Sequence, residues 1–213
     1  MMNLLFLAIS VVLAYLIGSI PVAYIFGRVL KNLDIREHGS GNMGATNAFR
    51  VLGKGPGTIV LILDIIKGII PVTLLANAFG LGDALSLVII AVAAVAGHNW
   101  TVFLGFKGGK GMATSLGVMI GLAIQLPGLR IVLGLATLVW LVLFFSLGYV
   151  SLASICAAIA LPILMVTFNA PFPMTVMAIV LCIFIVFRHS SNIKRLARGQ
   201  ENRVSFFTKF RKK

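Results

Sequence analysis

The stretch Leu4–Val29, LLFLAISVVLAYLIGSIPVAYIFGRV, decides the fold class of this chain. It contains a single charged residue, Arg28, close to its end. It is long enough to cross the hydrocarbon core of a bilayer, which takes about 20 apolar residues. It lacks the basic segment that opens a secretory signal peptide, and its apolar core is longer than such peptides carry. We therefore interpret it as the first transmembrane helix.

Six further apolar runs follow, and the composition agrees with a membrane protein. The chain of 213 residues is 60% hydrophobic and only 11% charged, whereas soluble domains carry about 25% charged residues. Long runs without period-two alternation favour helices over a barrel. The six runs are Thr58–Phe79, Leu85–Leu104, Met112–Leu126, Ile131–Phe145, Gly148–Phe168 and Met174–Phe187. The sequence predicts an all-α integral membrane protein with seven transmembrane helices and one domain, residues 1–213.

The distribution of Lys and Arg predicts the orientation. Three polar islands, Lys31–Gly57, Gly105–Thr114 and Arg188–Lys213, together with Arg28, hold 16 of the 18 Lys and Arg residues. Because cytoplasmic loops are enriched in Lys and Arg, we expect all three islands in the cytoplasm. Seven crossings then place the N-terminus outside and the C-terminus in the cytoplasm. The basic tail Lys209–Lys213 is expected to lie on the anionic leaflet.

Charge and cysteine usage exclude several classes of protein. A net charge of +13 can indicate nucleic-acid binding, but no soluble domain is present to carry it. Basic residues beside helix ends are better explained by lipid. Cys156 and Cys182 lie inside apolar runs, without the spacing of a metal site or a disulfide framework. The sequence therefore predicts no nucleic-acid partner, no metal site and no disulfide.

Two islands contain glycine patterns that resemble nucleotide-binding motifs but fail them. Gly39–Gly44 matches G-x-G-x-x-G, yet an apolar helix precedes it where a strand is required. Phe106–Gly111 resembles a P-loop, but Gly111 stands where a Ser or Thr would hold magnesium. The sequence therefore predicts no nucleotide. Bare backbone and a helix N-terminus still favour phosphate, so both islands are predicted anion sites.

The first island is expected to contain a short helix, Ala45–Arg50. Ser40 or Asn42 is expected to cap this helix, whose N-terminus favours an anion. Arg50 on the helix suits bidentate contact with a phosphate. A capped surface helix without a ligand is the alternative.

The third island adds His and Asn to its basic residues. His189 and Asn192 share a helix face at i, i+3, and neither affects orientation, so both are candidates for chemistry. Ionisable residues inside apolar runs are functional candidates by default. We interpret Asp64 and Lys67 as an ion pair that aligns the second helix. His98 is either a hydrogen-bonded structural group or a functional one.

Three motifs, one at each island, carry a resemblance to a known family, and the second of them begins ahead of its island, at Gly97. They read Ser40-Gly-Asn-x-Gly-Ala-Thr-Asn-x-x-Arg50, Gly97-His-Asn-x-x-x-Phe-Leu-x-Phe-Lys-Gly-Gly-Lys-Gly111, and Arg188-His-x-x-Asn-Ile-x-Arg-Leu196 with Gly199 and Glu201. In this order, and over nearly the whole chain, they resemble the bacterial acyl-phosphate:glycerol-3-phosphate acyltransferases. Leu63-Asp-x-x-Lys-Gly68 is similar to the same family. Ser190-Ser191 departs from it, since a second basic residue is expected after the His.

The resemblance implies transfer of a fatty acyl group from acyl phosphate to the 1-hydroxyl of glycerol 3-phosphate. The products are 1-acyl-glycerol 3-phosphate, that is lysophosphatidic acid, and inorganic phosphate. The implied surroundings are the lipid of the bacterial cytoplasmic (inner) membrane, with the active site on the cytoplasmic face. No cofactor, metal or nucleotide is implied.

The resemblance also implies roles for individual residues. Those expected to hold the acyl phosphate and polarise its carbonyl are Ser40, Asn42 and Arg50. Those expected to cradle the phosphate of glycerol 3-phosphate are Gly108, Gly109, Lys110 and Gly111, with Lys107 nearby. His189 and Asn192 are expected to orient the attacking hydroxyl. Further substrate-binding positions are Gly41, Thr46, Asn47, Arg195 and Glu201, the last more as a structural partner of a basic residue.

Two questions stay open at this point. The base is either His189 or the substrate's own phosphate, because no histidine is followed by Asp in the H-x-x-x-x-D pattern of soluble-type glycerolipid acyltransferases. The alternative function is a membrane transporter of a phosphorylated or anionic solute, although such proteins place polar residues at the bilayer midplane. A metal-dependent lipid phosphotransferase needs clustered acids, and the five acidic residues are not clustered.

Overall fold

The computed structural model describes residues 4–204, which form parts of two compact units, Met1–Leu129 and Arg130–Lys213. Every regular element among the described residues is a helix, so the predicted all-α class is confirmed for residues 4–204. The first two motifs lie in the first unit and the third motif lies in the second. The prediction for the basic tail Lys209–Lys213 falls outside the described residues.

The first unit is built from the apolar runs that precede Arg130. Its α-helices are α1 (Leu4–Ser19), α2 (Val22–Lys31), α3 (Ala45–Val51), α4 (Lys54–Ile70), α5 (Ala76–Ala78), α6 (Ala84–Asn99) and α7 (Met112–Gln125). A π-helical turn, Pro71–Leu75, joins α4 to α5. The first predicted helix is divided into α1 and α2, because Pro21 between them has no N–H to continue the helical hydrogen bonds.

Two helix pairs of the first unit approach closely through glycines. Gly18 of α1 faces the backbone carbonyl of Ala94 in α6, and Gly117 of α7 faces that of Ile65 in α4. A side chain at either glycine would overlap the carbonyl. Small residues are what allow helix backbones to pack at this distance in membranes.

A hydrophobic cluster in the first unit joins the first island to the second. Its buried members are Val22, Ala23, Ile35, Met43, Ala48, Leu52 and Val60. Leu104, directly before the second island, packs against the same cluster. Burial of this apolar surface holds the first two motifs in one unit.

The described part of the second unit contains four α-helices, which are α8 (Arg130–Leu147), α9 (Val150–Thr167), α10 (Phe172–Arg188) and α11 (Ser190–Ala197). Helix α9 packs against both α8 and α10. The indole Nε1 of Trp140 in α8 donates to Oγ of Ser154 in α9 over 3.2 Å. The chain bends by 60° between α10 and α11, and His189 of the third motif occupies the bend.

Each predicted apolar run contains a helix, but the helices differ in length. Within residues 4–204, five segments are long and apolar enough to cross a membrane, or six if α10 and α11 count as one bent span. Helix α7 has 14 residues, fewer than the about 20 that a straight crossing takes. Seven crossings and their orientation therefore remain predictions.

Candidate active site

The loop of the first motif is held from the inside by Asn47, which is 1% exposed. Its Nδ2 donates to the carbonyls of Ile35 and His38 at 3.2 and 3.0 Å. Its Oδ1 accepts a hydrogen bond from the N–H of Ser40 at 2.8 Å. The amide of Asn47 therefore shapes the loop that carries Ser40. We assign it this role in place of direct contact with a substrate.

The start of α3 differs from the expectation. The N-cap residue is Gly44, and no described side chain caps the helix. Oδ1 of Asn42 accepts from the N–H of Gly44 at 2.9 Å, in a turn that closes before the first helical residue. The prediction that Ser40 or Asn42 caps the helix is wrong, whereas the short helix itself is confirmed as Ala45–Val51.

One short segment, from Ser40 to Arg50, presents exposed polar residues. Thr46 and Arg50 are exposed and share a face of α3 at i, i+4. Ser40 and Gly41 are exposed on the loop before it. The guanidinium of Arg50 has no hydrogen bond or ion pair with any other residue among 4–204. An arginine in this state can bind a phosphate through two parallel hydrogen bonds.

An ion-pair network anchors the chain ahead of the first motif. Oδ2 of Asp34 lies 2.6 Å from Nη2 of Arg36 and 3.6 Å from Nη2 of Arg28. The hydrogen bond from the Arg36 side chain is the largest influence and lowers the pKa of Asp34 to about 2. Both guanidinium groups also lie 5.3 Å from the ring centroid of Tyr24. Arg28 and Arg36 are therefore already paired within the protein, whereas Arg50 has no such partner among residues 4–204.

The glycine turn of the second motif, Gly108–Gly109, packs against the end of α6. The N–H groups of Gly108 and Gly109 donate to the carbonyls of Asn99 and His98 at 3.2 and 3.0 Å. A methyl group on Gly109 would overlap the imidazole of His98. We expected Gly108 and Gly109 to offer their N–H groups to a phosphate. Both N–H groups already have acceptors within the protein, so these two glycines do not form that part of a cradle. The two glycines serve close packing instead.

The start of α7 keeps the features of an anion site. Gly111 is its N-cap in a left-handed conformation, with φ 76°, and no described side chain caps the helix. The N–H groups of the first turn and the positive end of the helix dipole therefore meet at this point. Lys107 is exposed and Lys110 is half-buried beside it. Together they offer the positive charge that a phosphate group requires.

Three ionisable side chains from inside the apolar runs meet beside the glycine turn. Asp64, Lys67 and His98 are 1%, 6% and 6% exposed, and we call them the Asp64 cluster. Nζ of Lys67 lies 2.8 Å from Oδ1 of Asp64, so the predicted ion pair is confirmed. Nδ1 of His98 lies 3.7 Å from the same oxygen. The sequence did not predict this meeting, and its one signal was the position of His98 in both the third apolar run and the second motif.

Glu201 is the centre of a hydrogen-bond network in the second unit. Its Oε1 accepts from Nδ2 of Asn192 at 2.6 Å and from Oγ of Ser151 at 2.8 Å, and its Oε2 accepts from Nε of Arg195 at 2.7 Å. Burial raises the pKa of Glu201, but these hydrogen bonds outweigh it and hold the pKa below its ordinary value. The expected basic partner is Arg195. Ser151 lies outside every motif and was not predicted.

His189 lies at the bend between α10 and α11 and is 4% exposed. Its Nδ1 is 2.7 Å from the carbonyl oxygen of Ile185. Only a protonated Nδ1 can donate to that oxygen, so in the neutral ring the lone pair lies on Nε2. Asn192, in the first turn of α11, is 5% exposed. The third motif therefore offers an oriented imidazole and an amide that Glu201 fixes.

Comparisons with known proteins agree over nearly the whole chain. The profile of the family described as "Glycerol-3-phosphate acyltransferase" matches residues 8–199. A glycerol-3-phosphate acyltransferase of Synechococcus sp. (strain CC9902) is 46% identical over 193 residues, which cover 90% of this chain and 92% of the relative. Glycerol-3-phosphate acyltransferase 2 of Moorella thermoacetica is 42% identical, with 92% of this chain and 96% of the relative covered.

Two crystal structures of PlsY (YgiH), an integral membrane glycerol 3-phosphate acyltransferase, have a similar fold. The glycerol 3-phosphate form gives a TM-score of 0.85 at 40% identity, covering 96% of this chain and 98% of that one. The lysophosphatidic acid form gives 0.81 at 41% identity, covering 93% and 95%. The chain therefore belongs to the glycerol-3-phosphate acyltransferase family and is an integral membrane acyltransferase.

Proposed function

We propose that the protein transfers a fatty acyl group from acyl phosphate to the sn-1 hydroxyl of glycerol 3-phosphate. The products are 1-acyl-glycerol 3-phosphate and inorganic phosphate. The two similar crystal structures are named for glycerol 3-phosphate and for lysophosphatidic acid, which are the acceptor and the product of this reaction. The acyl phosphate donor and the position of acylation rest on the motif resemblance.

The observation that carries the proposal is the state of Arg50. It is an exposed cation without a partner in the described part of the chain, close to long apolar helices. Both substrates carry a phosphate, and one of them also carries an acyl chain that can lie in the bilayer. A phosphate site at the ends of lipid-embedded helices meets both requirements. Membership of an acyltransferase family removes the transporter alternative.

In the proposed step the acceptor hydroxyl attacks the carbonyl carbon of the acyl phosphate. A new carbon–oxygen bond forms, and phosphate leaves with the electron pair of the broken bond. Because phosphate is a good leaving group, the enzyme mainly aligns the two substrates and stabilises developing negative charge. Ser40, Asn42 and Arg50 hold the donor and polarise its carbonyl. Lys107, Lys110 and the start of α7 bind the phosphate of the acceptor.

The proton of the attacking hydroxyl passes either to Nε2 of His189 or to an oxygen of the donor phosphate. The hydrogen bond at Nδ1 supports His189, because it leaves the lone pair on Nε2. The variant His189→Gln separates the two routes. A protein base predicts a fall in turnover of about 100-fold or more, as removal of general bases typically gives. A phosphate base predicts a smaller fall, because His189→Gln then removes only part of the orientation of the attacking hydroxyl.

The donor is tested with purified protein in detergent, without added metal or coenzyme A. Palmitoyl phosphate and glycerol 3-phosphate are expected to yield one inorganic phosphate for each acylated product. Phosphorus NMR of the product is expected to show the 1-acyl isomer. Turnover with palmitoyl-CoA but none with palmitoyl phosphate would contradict the proposed donor. A 2-acyl product would contradict acylation of the sn-1 hydroxyl.

We also propose one functional domain that crosses the bacterial inner membrane seven times, with all three motifs in the cytoplasm. The family match runs through both units, from residue 8 to residue 199, which supports a single functional domain. Gly55 and Gly82 suit a labelling test, because a side chain at either position meets no atom within 4 Å. In a background without Cys156 and Cys182, an impermeant maleimide is expected to label Gly55→Cys only in inverted vesicles. Gly82→Cys is expected to react only in right-side-out vesicles, and the opposite pattern would reverse the orientation.

A further inference from the structure

We propose that Asp64 is a positioning residue for the glycine turn Gly108–Gly109, that it acts through His98, and that Lys67 anchors it. The proposal rests on the proposed function of the second motif as the binding site for the phosphate of glycerol 3-phosphate. Asp64 lies outside the three motifs and, in this account, touches neither substrate.

Lys67 fixes the carboxylate of Asp64 in place. Its Nζ donates to the carbonyl of Ile20 at 2.8 Å and lies 2.8 Å from Oδ1 of Asp64. Ile20 lies in the break between α1 and α2, where helical hydrogen bonding is interrupted at Pro21. One ammonium group thus joins that break to the carboxylate on α4.

His98 connects the carboxylate to the turn. Its Nδ1 lies 3.7 Å from Oδ1 of Asp64, and its ring borders Gly109 so closely that a methyl group there would overlap Nε2. The backbone carbonyl of His98 also accepts the N–H of Gly109 at 3.0 Å. The orientation of the imidazole therefore limits the space that Gly109 can occupy. The charge of Asp64 favours one orientation of that imidazole.

Stability alone is a weak reason for such a cluster. Buried ion pairs are often no more stabilising than apolar residues of the same volume, because both charges must leave water. The Asp64 cluster is buried among apolar helices, and Oδ2 of Asp64 has no hydrogen-bond partner in the described part of the chain. Buried charged groups in membrane helices are candidates for function by default. The glycine turn lies directly beside the Asp64 cluster, through His98, so it is the feature that the cluster would serve.

A second unsatisfied group borders the same turn. Asn99 is fully buried, and neither amide atom has a hydrogen-bond partner among residues 4–204. Its Oδ1 faces Gly111 so closely that a Cβ there would touch it. Buried polar side chains in native proteins nearly always have partners. Asp64 and Asn99, two buried polar side chains with unsatisfied atoms in the described part of the chain, therefore lie beside the glycine turn.

The first test compares Asp64→Asn with the matched control Asp83→Asn. Asp83 is also in the first unit, where its Oδ1 accepts the N–H of Ser86 at 3.0 Å at the start of α6. We expect Asp64→Asn to weaken the binding of radiolabelled glycerol 3-phosphate about tenfold, as loss of a supporting partner around a binding site typically does. The KM for palmitoyl phosphate and the kcat at saturation are expected to stay within about twofold. The control is expected to bind as the wild type does.

A charge-balanced variant, Asp64→Asn with Lys67→Met, covers the case in which the single variant does not fold. It removes both charges, so no uncompensated ammonium remains in the helix. We expect it to melt in detergent near the wild-type temperature while glycerol 3-phosphate binding stays weakened. Wild-type binding by this folded double variant would overturn the proposal, because the pair would then only balance charge.

Lys110→Ala separates this proposal from the function on which it rests. Unchanged glycerol 3-phosphate binding by Lys110→Ala would contradict the assignment of the second motif as the phosphate site. Weakened binding by Lys110→Ala, together with wild-type binding by Asp64→Asn, would overturn only the positioning role. Weakened binding by both variants supports both assignments.

Discussion

Arg50 and Arg195 occupy similar places in the first and third motifs, yet the structure gives them opposite surroundings. Arg50 is exposed, and its guanidinium has no partner in the described part of the chain. Arg195 donates through Nε to Oε2 of Glu201 at 2.7 Å. A basic residue in a motif is therefore not by itself a phosphate ligand. An arginine without a partner in the protein can bind a substrate, whereas an arginine paired with a carboxylate holds its own segment in place.

Arg50→Ala is expected to give the largest effect. Loss of a bidentate contact to a phosphate that carries developing charge should lower turnover by about 100-fold or more. Stability should change by less than about 0.5 kcal/mol, because the side chain is exposed and has no partner among residues 4–204. Phosphate release and melting in detergent measure the two quantities. Lys54→Ala, at an exposed lysine of the same island, is the control, and equal activity of both variants would contradict the account.

Arg195→Ala is expected to act on stability first. It leaves Oε2 of Glu201 without its hydrogen bond, and because the Arg195 side chain is partly exposed, the loss costs about 1 kcal/mol. Turnover per folded molecule is expected to fall less than in Arg50→Ala. Thermal melting and active-fraction measurements separate the two effects. Adding Glu201→Gln to Arg195→Ala should recover part of the lost stability, since the uncompensated charge is removed.

Glu201 also predicts how stability depends on pH. Its folded-state pKa lies below its ordinary value, so its contribution is present above the unfolded pKa of about 4.3. That contribution is lost as pH falls through the folded pKa. The melting temperature of the wild type should therefore drop as pH falls below the unfolded pKa of about 4.3. Glu201→Gln should show a smaller drop, and parallel curves for the two proteins would contradict this reading.

Asp34→Asn is expected to give the smallest effect. Its ion pairs are partly open to solvent, where such contacts contribute about 1 kcal/mol or less. The pKa of Asp34 is lowered to about 2, so its contribution is present above about pH 4 and is lost towards pH 2. Melting curves at pH 7 should place the variant slightly below the wild type. A loss of activity as large as that of Arg50→Ala would show that this network belongs to the site.

The sequence predicted the helices well, because apolar runs, prolines and glycines act locally. It placed the short helix of the first motif within one residue of its end at Val51. It also predicted the pairing of Asp64 with Lys67, since residues three apart on a helix are neighbours. The division of the first run at Pro21 was missed, although proline inside an apolar run is its usual signal.

The sequence could not predict which polar groups already have hydrogen-bond partners within the protein, because those partners come from distant segments. Asn47 was expected to bind substrate, yet its amide bonds the carbonyls of Ile35 and His38. Gly108 and Gly109 were expected to offer their N–H groups to a phosphate, and both are already bonded to the end of α6. No local pattern states which neighbour a folded chain brings to such groups.

The most direct measurement of the central claim is the binding of a 2-oxoalkylphosphonate, in which a methylene group replaces the bridging oxygen of the acyl phosphate and acyl transfer cannot occur. The radiolabelled palmitoyl compound would be titrated into purified wild type, Arg50→Ala and Arg195→Ala. The account predicts binding at least about tenfold weaker for Arg50→Ala and wild-type affinity per folded molecule for Arg195→Ala. Wild-type affinity in Arg50→Ala, with the loss in Arg195→Ala instead, would contradict it.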